Sequence, residues 1–167
     1  MKLLNCHVEN FGKLHDFSMV FCDGCNTVFE ANGFGKSTLA AFIRVMFYGF
    51  LGETKRKGME NERKRFEPWQ GGTYGGSLDF SVGNKKYRMT RIFHDKQPND
   101  EFELRDLTTN LISNDYTEQI GEELFAVNQE SFIRTVFIGQ NDLVTSATDD
   151  INAKIGNLTD DTNDLNR

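Results

Sequence analysis

The sequence predicts an α/β fold in which a mixed sheet and an antiparallel β-meander enclose one buried helix. Three observations predict it. Apolar residues alternate with polar ones in short runs such as Leu78, Phe80 and Val82, the pattern of a half-buried strand. The run Leu39 to Tyr48 is instead apolar on nearly all sides, as a helix buried between layers must be. The 167 residues, with 15 phenylalanines and only two prolines, are enough for one domain of ordinary size with its own core.

Taken in order, Lys2 to Glu9, Phe17 to Phe21 and Asn26 to Phe29 read as three strands, separated by turns at Phe11-Gly12 and Asp23-Gly24. The helix over Leu39 to Phe47 follows. Residues 51–72 read as a basic, mobile loop, and the glycine pairs Gly71-Gly72 and Gly75-Gly76 punctuate the entry to further strands. Leu78 to Val82, Tyr87 with Met89, and Phe102 with Leu104 form the meander, turning at Gly83-Asn84. From Tyr116 the period lengthens. Tyr116, Ile120 and Leu124 share a helical face with Asp115 placed to cap it, and a second short helix carrying Phe132 and Ile133 begins after Asn128. Ile151, Ile155 and Leu158 suggest a last helix capped by Thr148, inside a polar, acidic segment over 142–167. No internal repeat is present.

The most informative segment is Asn32-Gly33-Phe34-Gly35-Lys36-Ser37-Thr38, between the apolar run Thr27-Val28-Phe29 and the buried helix. A strand that ends in a glycine-rich turn and opens a helix aims backbone N–H groups and the positive end of the helix dipole at one point. A polyphosphate fits there, with Lys36 reaching the β- and γ-phosphates, Ser37 on Mg²⁺ and Thr38 near the α-phosphate. The bland alternative, a glycine turn capping a core helix, leaves Lys36 unexplained where the dipole disfavours a cation. One position departs from G-x-x-x-x-G-K-[ST]: Glu30 stands where the motif has its first glycine. A strained torsion and a carboxylate beside the triphosphate are both expected to weaken binding there.

Composition narrows the classes. No stretch approaches the ~20 apolar residues of a membrane span, and polar residues follow Met1 too early for a secretory leader, so the expected location is cytoplasmic. A net charge of −6 confines any nucleic-acid contact to a local patch. Lys55-Arg56-Lys57 and Arg63-Lys64-Arg65 supply one, read either as a solvated loop or as a phosphate-contacting stretch from Lys55 to Arg65, meeting DNA or the nucleotide's own phosphates. Three cysteines disfavour a disulfide framework. Cys22-Asp23-Gly24-Cys25 is formally C-x-x-C, but only Cys6 and His7 lie near enough in sequence to complete a metal set, and Asp23-Gly24 reads as a hairpin turn.

The order of these parts, with Gln140 in the apolar-flanked turn Val136 to Asp142, resembles the N-terminal half of an ABC-type ATPase head. More specifically it resembles the SMC, RecF and RecN group of chromosome-maintenance and DNA-repair ATPases. Asn10-Phe11-Gly12-Lys13-Leu14 looks like that group's opening turn, Asn32 to Thr38 its Walker A loop, and Gln140 its Q-loop glutamine. The resemblance implies a P-loop NTPase fold, ATP and Mg²⁺ as cofactors, and Lys36 and Gln140 as catalytic residues. It also implies that Ser37 and Gln140 hold the metal.

The same resemblance places the Walker B strand, signature loop and switch histidine in a C-terminal half, beyond a coiled coil, and the sequence to Arg167 shows none of them. A C-terminal head lobe or a second head chain is therefore the expected partner, the complete assembly being a dimer. Hydrolysis is expected only when that half is supplied, since phosphoryl transfer relies on all these groups together. Asn84-Lys85-Lys86-Tyr87 lacks the aspartate of a guanine-reading Asn-Lys-x-Asp, which argues against a GTPase. The meander after the loop argues against the parallel βαβ units of a small-molecule kinase. The remaining rival is a degenerate head, non-hydrolysing, that serves as a dimerisation or scaffold module.

Overall fold

The computed structural model describes residues 1–52 and 61–137, in two units, Met1–Glu118 and Gln119 onward. In the first unit, β1 (Lys2–Phe11) and β2 (Leu14–Val20) form a hairpin with Phe11 opposite Leu14 across Gly12-Lys13. The helices α1 (Lys36–Tyr48) and α2 (Glu62–Arg65) follow, then β3 (Gly75–Val82), β4 (Lys85–Ile92) and β5 (Glu101–Asp106). The strand order is β2-β1-β3-β4-β5, and each ladder is antiparallel.

The expected meander is therefore present, with its turn at Gly83-Asn84 between Val82 and Lys85. The expected mixed character is not found among the described residues. Asn26 to Phe29 forms no strand, and Phe29 is 94% exposed. With β1 paired to β2 on one side and β3 on the other, the vacant edges of the sheet are the outer edges of β2 and β5, and Asn26 to Phe29 pairs at neither. Asp23-Gly24 is accordingly a bend and not the turn of a hairpin.

Close approach of the central strands depends on one glycine above all. A Cβ on Gly76 would lie 2.1 Å from the His7 carbonyl oxygen, so only glycine lets β3 lie this near β1. On this sheet α1 buries Leu39, Phe42, Val45, Met46 and Phe47, with Phe47 edge-on to Phe80 at 6.0 Å between ring centroids. Phe11 is the hub of the core. It meets Phe42 edge-on at 5.4 Å and stacks on Phe66 at 4.8 Å and Phe50 at 6.0 Å. Aromatic pairs of this kind contribute about 1 kcal/mol each beyond the area they bury.

Part of the basic loop is built into this core. Arg44 of α1 is buried and donates from Nη2 to both carboxylate oxygens of Glu62, at 2.7 and 2.6 Å. Arg63 is buried as well, paired with Asp100 at 2.8 and 2.7 Å and lying 4.6 Å over the Phe50 ring. Lys64 and Arg65 remain exposed. Of the sequence-predicted basic cluster, Arg63 is thus a packing residue, and Lys55 to Lys57 lie outside the described residues.

Asp115 does not cap a helix. Its carboxylate accepts from Lys85 Nζ at 2.6 Å and Tyr87 Oη at 2.5 Å, and the Lys85 hydrogen bond, before that of Tyr87, holds its pKa down. With that side chain taken up by β4, the helix starts later. In the second unit α3 spans Ile120–Phe125 after Gln119, and α4 spans Gln129–Thr135, beginning after Asn128 as expected, with Asn128 as its cap accepting from the Ser131 N–H at 2.8 Å. Phe125 and Phe132 join the two helices at 4.9 Å. The helix expected around Ile151 to Leu158 lies outside the described residues.

Candidate functional site

The loop Asn32 to Gly35 turns immediately before α1, and its shape follows from its glycines. Asn32-Gly33 form a turn in which the Phe34 N–H donates to the Ala31 carbonyl at 3.2 Å. Gly35 takes φ +121°, a conformation closed to other residues, and a Cβ there would press to 3.0 Å from Leu14 Cδ2. It is the residue from which α1 starts, and it carries no side chain to cap the helix. The first turn of α1 also lacks an acidic residue. The leading N–H groups, those of Lys36, Ser37 and Thr38, therefore have no intrahelical acceptor and point with the dipole's positive end toward the loop. A 13-residue helix with this start is a seat for an anion.

Lys36 is held at that seat. Its Nζ donates to the carbonyl oxygens of Glu30 at 2.7 Å and Ala31 at 3.1 Å, so the loop's own backbone orients the ammonium against the pull of the dipole. Ser37 is exposed, as a metal-binding hydroxyl would need to be. Thr38 turns its methyl toward the β1–β2 turn, Cγ2 lying 3.2 Å from where a Gly12 Cβ would be. Asn32, Gly33 and Phe34 are exposed, Phe34 lying edge-on to Phe17 of β2 at 6.1 Å.

Glu30 differs from its expectation. It is not among the described non-glycine residues with positive φ, so it carries no left-handed strain. What reaches the site from it is its carbonyl, which accepts from Lys36, while the residue itself is exposed. A glycine is unnecessary here because the backbone adopts an ordinary conformation. Only charge repulsion is left of the expected penalty.

Sequence reasoning gave Lys13 no role. In the structure its Nζ lies 3.9 Å from the position of a Gly33 Cβ, and its Cδ lies 3.6 Å from that of Gly35. The hairpin thus brings a second ammonium to the loop. The signal was available: a two-residue turn between Phe11 and Leu14 projects Gly12-Lys13 beyond the sheet. Asn10 and Phe11 prove structural. Asn10 is buried and donates from Nδ2 to the Thr73 carbonyl at 2.9 Å, and Phe11 is the core hub.

Gln140 lies outside the described residues. Among those described, no group of three or more His, Cys, Asp or Glu side chains is placed to hold a metal ion, and no helix is long and apolar enough to cross a membrane. Among the described residues, Ser37 is the sequence-predicted metal ligand present at this loop.

The AAA domain family matches residues 5–167, so the chain belongs to that family of P-loop ATPases. It is also similar to a Bacillus subtilis protein, YhaN, itself described as uncharacterized, at 28% identity over 80 residues. That alignment covers 47% of this chain and 7% of the length of YhaN. Members of the family generally bind ATP with Mg²⁺.

Proposed function

From that membership we propose that the chain is the ATP-binding half-site of an SMC-like ATPase acting in DNA repair or chromosome maintenance. The observation that carries the reading is the uncapped start of α1 with two ammonium groups, Lys36 and Lys13, at the same glycine loop. Asn32 to Thr38 would hold the triphosphate through backbone N–H groups. Lys36 would exchange the Glu30 and Ala31 carbonyls for phosphate oxygens, and Ser37 would ligate Mg²⁺. Lys13 adds charge on the side of the loop facing β1 and β2.

Binding and hydrolysis separate in this reading. The described residues hold groups that attract phosphate, whereas a general base and a transition-state clamp are needed to cleave it. Those are supplied by a C-terminal head lobe or a second head chain, with Gln140 positioning water beside Mg²⁺. Calorimetric titration with Mg-ATP tests the first half: Lys36→Ala loses at least about tenfold in affinity, about 1.4 kcal/mol. Equal affinity of variant and wild type would sink the reading and leave the scaffold alternative.

A DNA contact is favoured by the exposure of Lys64 and Arg65 beside Trp69, which is 96% exposed. Arg63 takes no part in it, being buried against Asp100. Replacing Lys64 and Arg65 by alanine should flatten the salt dependence of DNA binding by about one log unit per lost phosphate contact. An unchanged slope would remove DNA from the list of partners.

A further inference from the structure

Neither the sheet nor the phosphate loop uses the thiols of Cys22 and Cys25. Both are free and exposed, on the bend that follows β2. Three restraints fix that bend. The Cys22 N–H donates to Asn26 Oδ1 at 2.8 Å, and Asn26 Nδ2 donates back to the carbonyls of Cys22 at 3.0 Å and Gly24 at 3.3 Å. Asp23 pairs with Lys2 at the start of β1. Gly24, at φ +82°, reverses the chain between the two cysteines, with nothing within 4 Å of its Cβ position. A side-chain amide thus folds the backbone of residues 22–26 back on itself with both sulfurs in solvent. The third cysteine is the opposite case. Cys6 in β1 is 1% exposed, and burial pushes its thiol up to about 11, so it is inert at neutral pH.

We propose that Cys22 and Cys25 are a redox-active dithiol that closes reversibly to an intramolecular disulfide, restraining the segment that runs from the bend into the phosphate loop. The oxidant is a low-molecular-weight disulfide of the glutathione class. One cysteine gives its proton to solvent and its thiolate attacks a glutathione sulfur, forming a mixed disulfide and expelling one glutathione thiolate. The second cysteine, deprotonated in turn, attacks the protein-bound sulfur and expels the other. Two protein thiols are oxidised by two electrons, and one glutathione disulfide is reduced to two thiols. Closure acts on the segment Asn26 to Glu30, whose far end supplies the carbonyl that holds Lys36. The proposal does not depend on nucleotide binding.

The full chain, equilibrated in mixtures of oxidised and reduced glutathione, provides the test by intact mass, thiol alkylation and amide hydrogen exchange. The oxidised protein should be about two mass units lighter, with Cys6 as its one alkylatable thiol after unfolding. Exchange should slow over residues 22–35 and stay unchanged in the sheet. Cys22→Ser should instead accumulate a stable glutathione adduct on Cys25. A wild-type chain that holds stable glutathione adducts, or that closes with no change in exchange over residues 22–35, would overturn the proposal.

Discussion

Residues 61–74 and residues 22–35 are both irregular connections beside the same helix, yet they are held by different forces. The first is fixed by buried charge and aromatic stacking: Glu62 on Arg44, Arg63 on Asp100, Phe66 on Phe11, and the Tyr74 hydroxyl donating to the Arg63 carbonyl. The second is exposed from Cys22 to Phe34 apart from half-buried Val28, and is held by backbone carbonyls, the Asn26 amide, one ring contact and a solvent-exposed Lys2–Asp23 pair. The comparison teaches that charge here marks the rigid connection, and apolar residues the open one. The exposed segment leaves the first N–H groups of α1 without an acceptor, whereas the connection that supports the core ties its side chains and carbonyls into it.

The largest test of this contrast is Arg63→Ala. It leaves Asp100 without its guanidinium partner, with the His94 N–H still donating to it. Loss of one member of a buried pair should cost about 4 kcal/mol, read as a fall in the denaturant midpoint at constant slope. A loss below about 1 kcal/mol would mean that the connection is the solvated loop that its composition suggests.

Smaller but more local is Gly35→Ala. The alanine meets both a φ of +121° and the Leu14 side chain, which should lower thermal stability by about 2 kcal/mol and reduce Mg-ATP affinity with it. If stability alone fell, the loop would be a structural turn and nothing more.

Phe29→Ser should do almost nothing, within about 0.5 kcal/mol by the same denaturation experiment, because the ring is already in solvent. A large loss would put Phe29 in a strand core, as its apolar neighbours imply.

These two connections also show where the sequence was legible. The meander and its turn, the buried α1, and the start of α4 after Asn128 were readable because each rests on neighbours a few residues apart. The same holds for the glycine turn that opens α1, since its glycines and the helix after them are contiguous. Pairings such as Arg63 with Asp100, 37 residues away, leave no periodic trace, so the basic stretch read as solvated. Asn26 to Phe29 failed for a different reason. Its apolar content signals a strand, but pairing depends on where the tertiary fold carries the segment, and Asn26 to Phe29 pairs at no edge of the sheet. Asp115 likewise had the residue type of a cap, and lost that role to Lys85 and Tyr87 across the sheet. Lys13 escaped because its relevance comes from a turn projecting over a loop 20 residues further on.

The position of β3 next to β1 has a kinetic consequence. The β1–β2 hairpin and the β3-β4-β5 meander each form from sequence-adjacent strands, at the microsecond rates of local pairing. They join through one long-range ladder, Lys2 with Ser81 through Asn10 with Gly75, which must close the 54 residues between β2 and β3. The entropy of that closure falls on the folding barrier, so the ladder is the slow step and topology sets the rate. Phe21 to Tyr74, with the phosphate loop inside it, is the stretch being closed. The loop before α1 therefore acquires its shape only after the two halves of the sheet have met, and a substitution at Gly76, on the ladder that joins them, should delay its assembly.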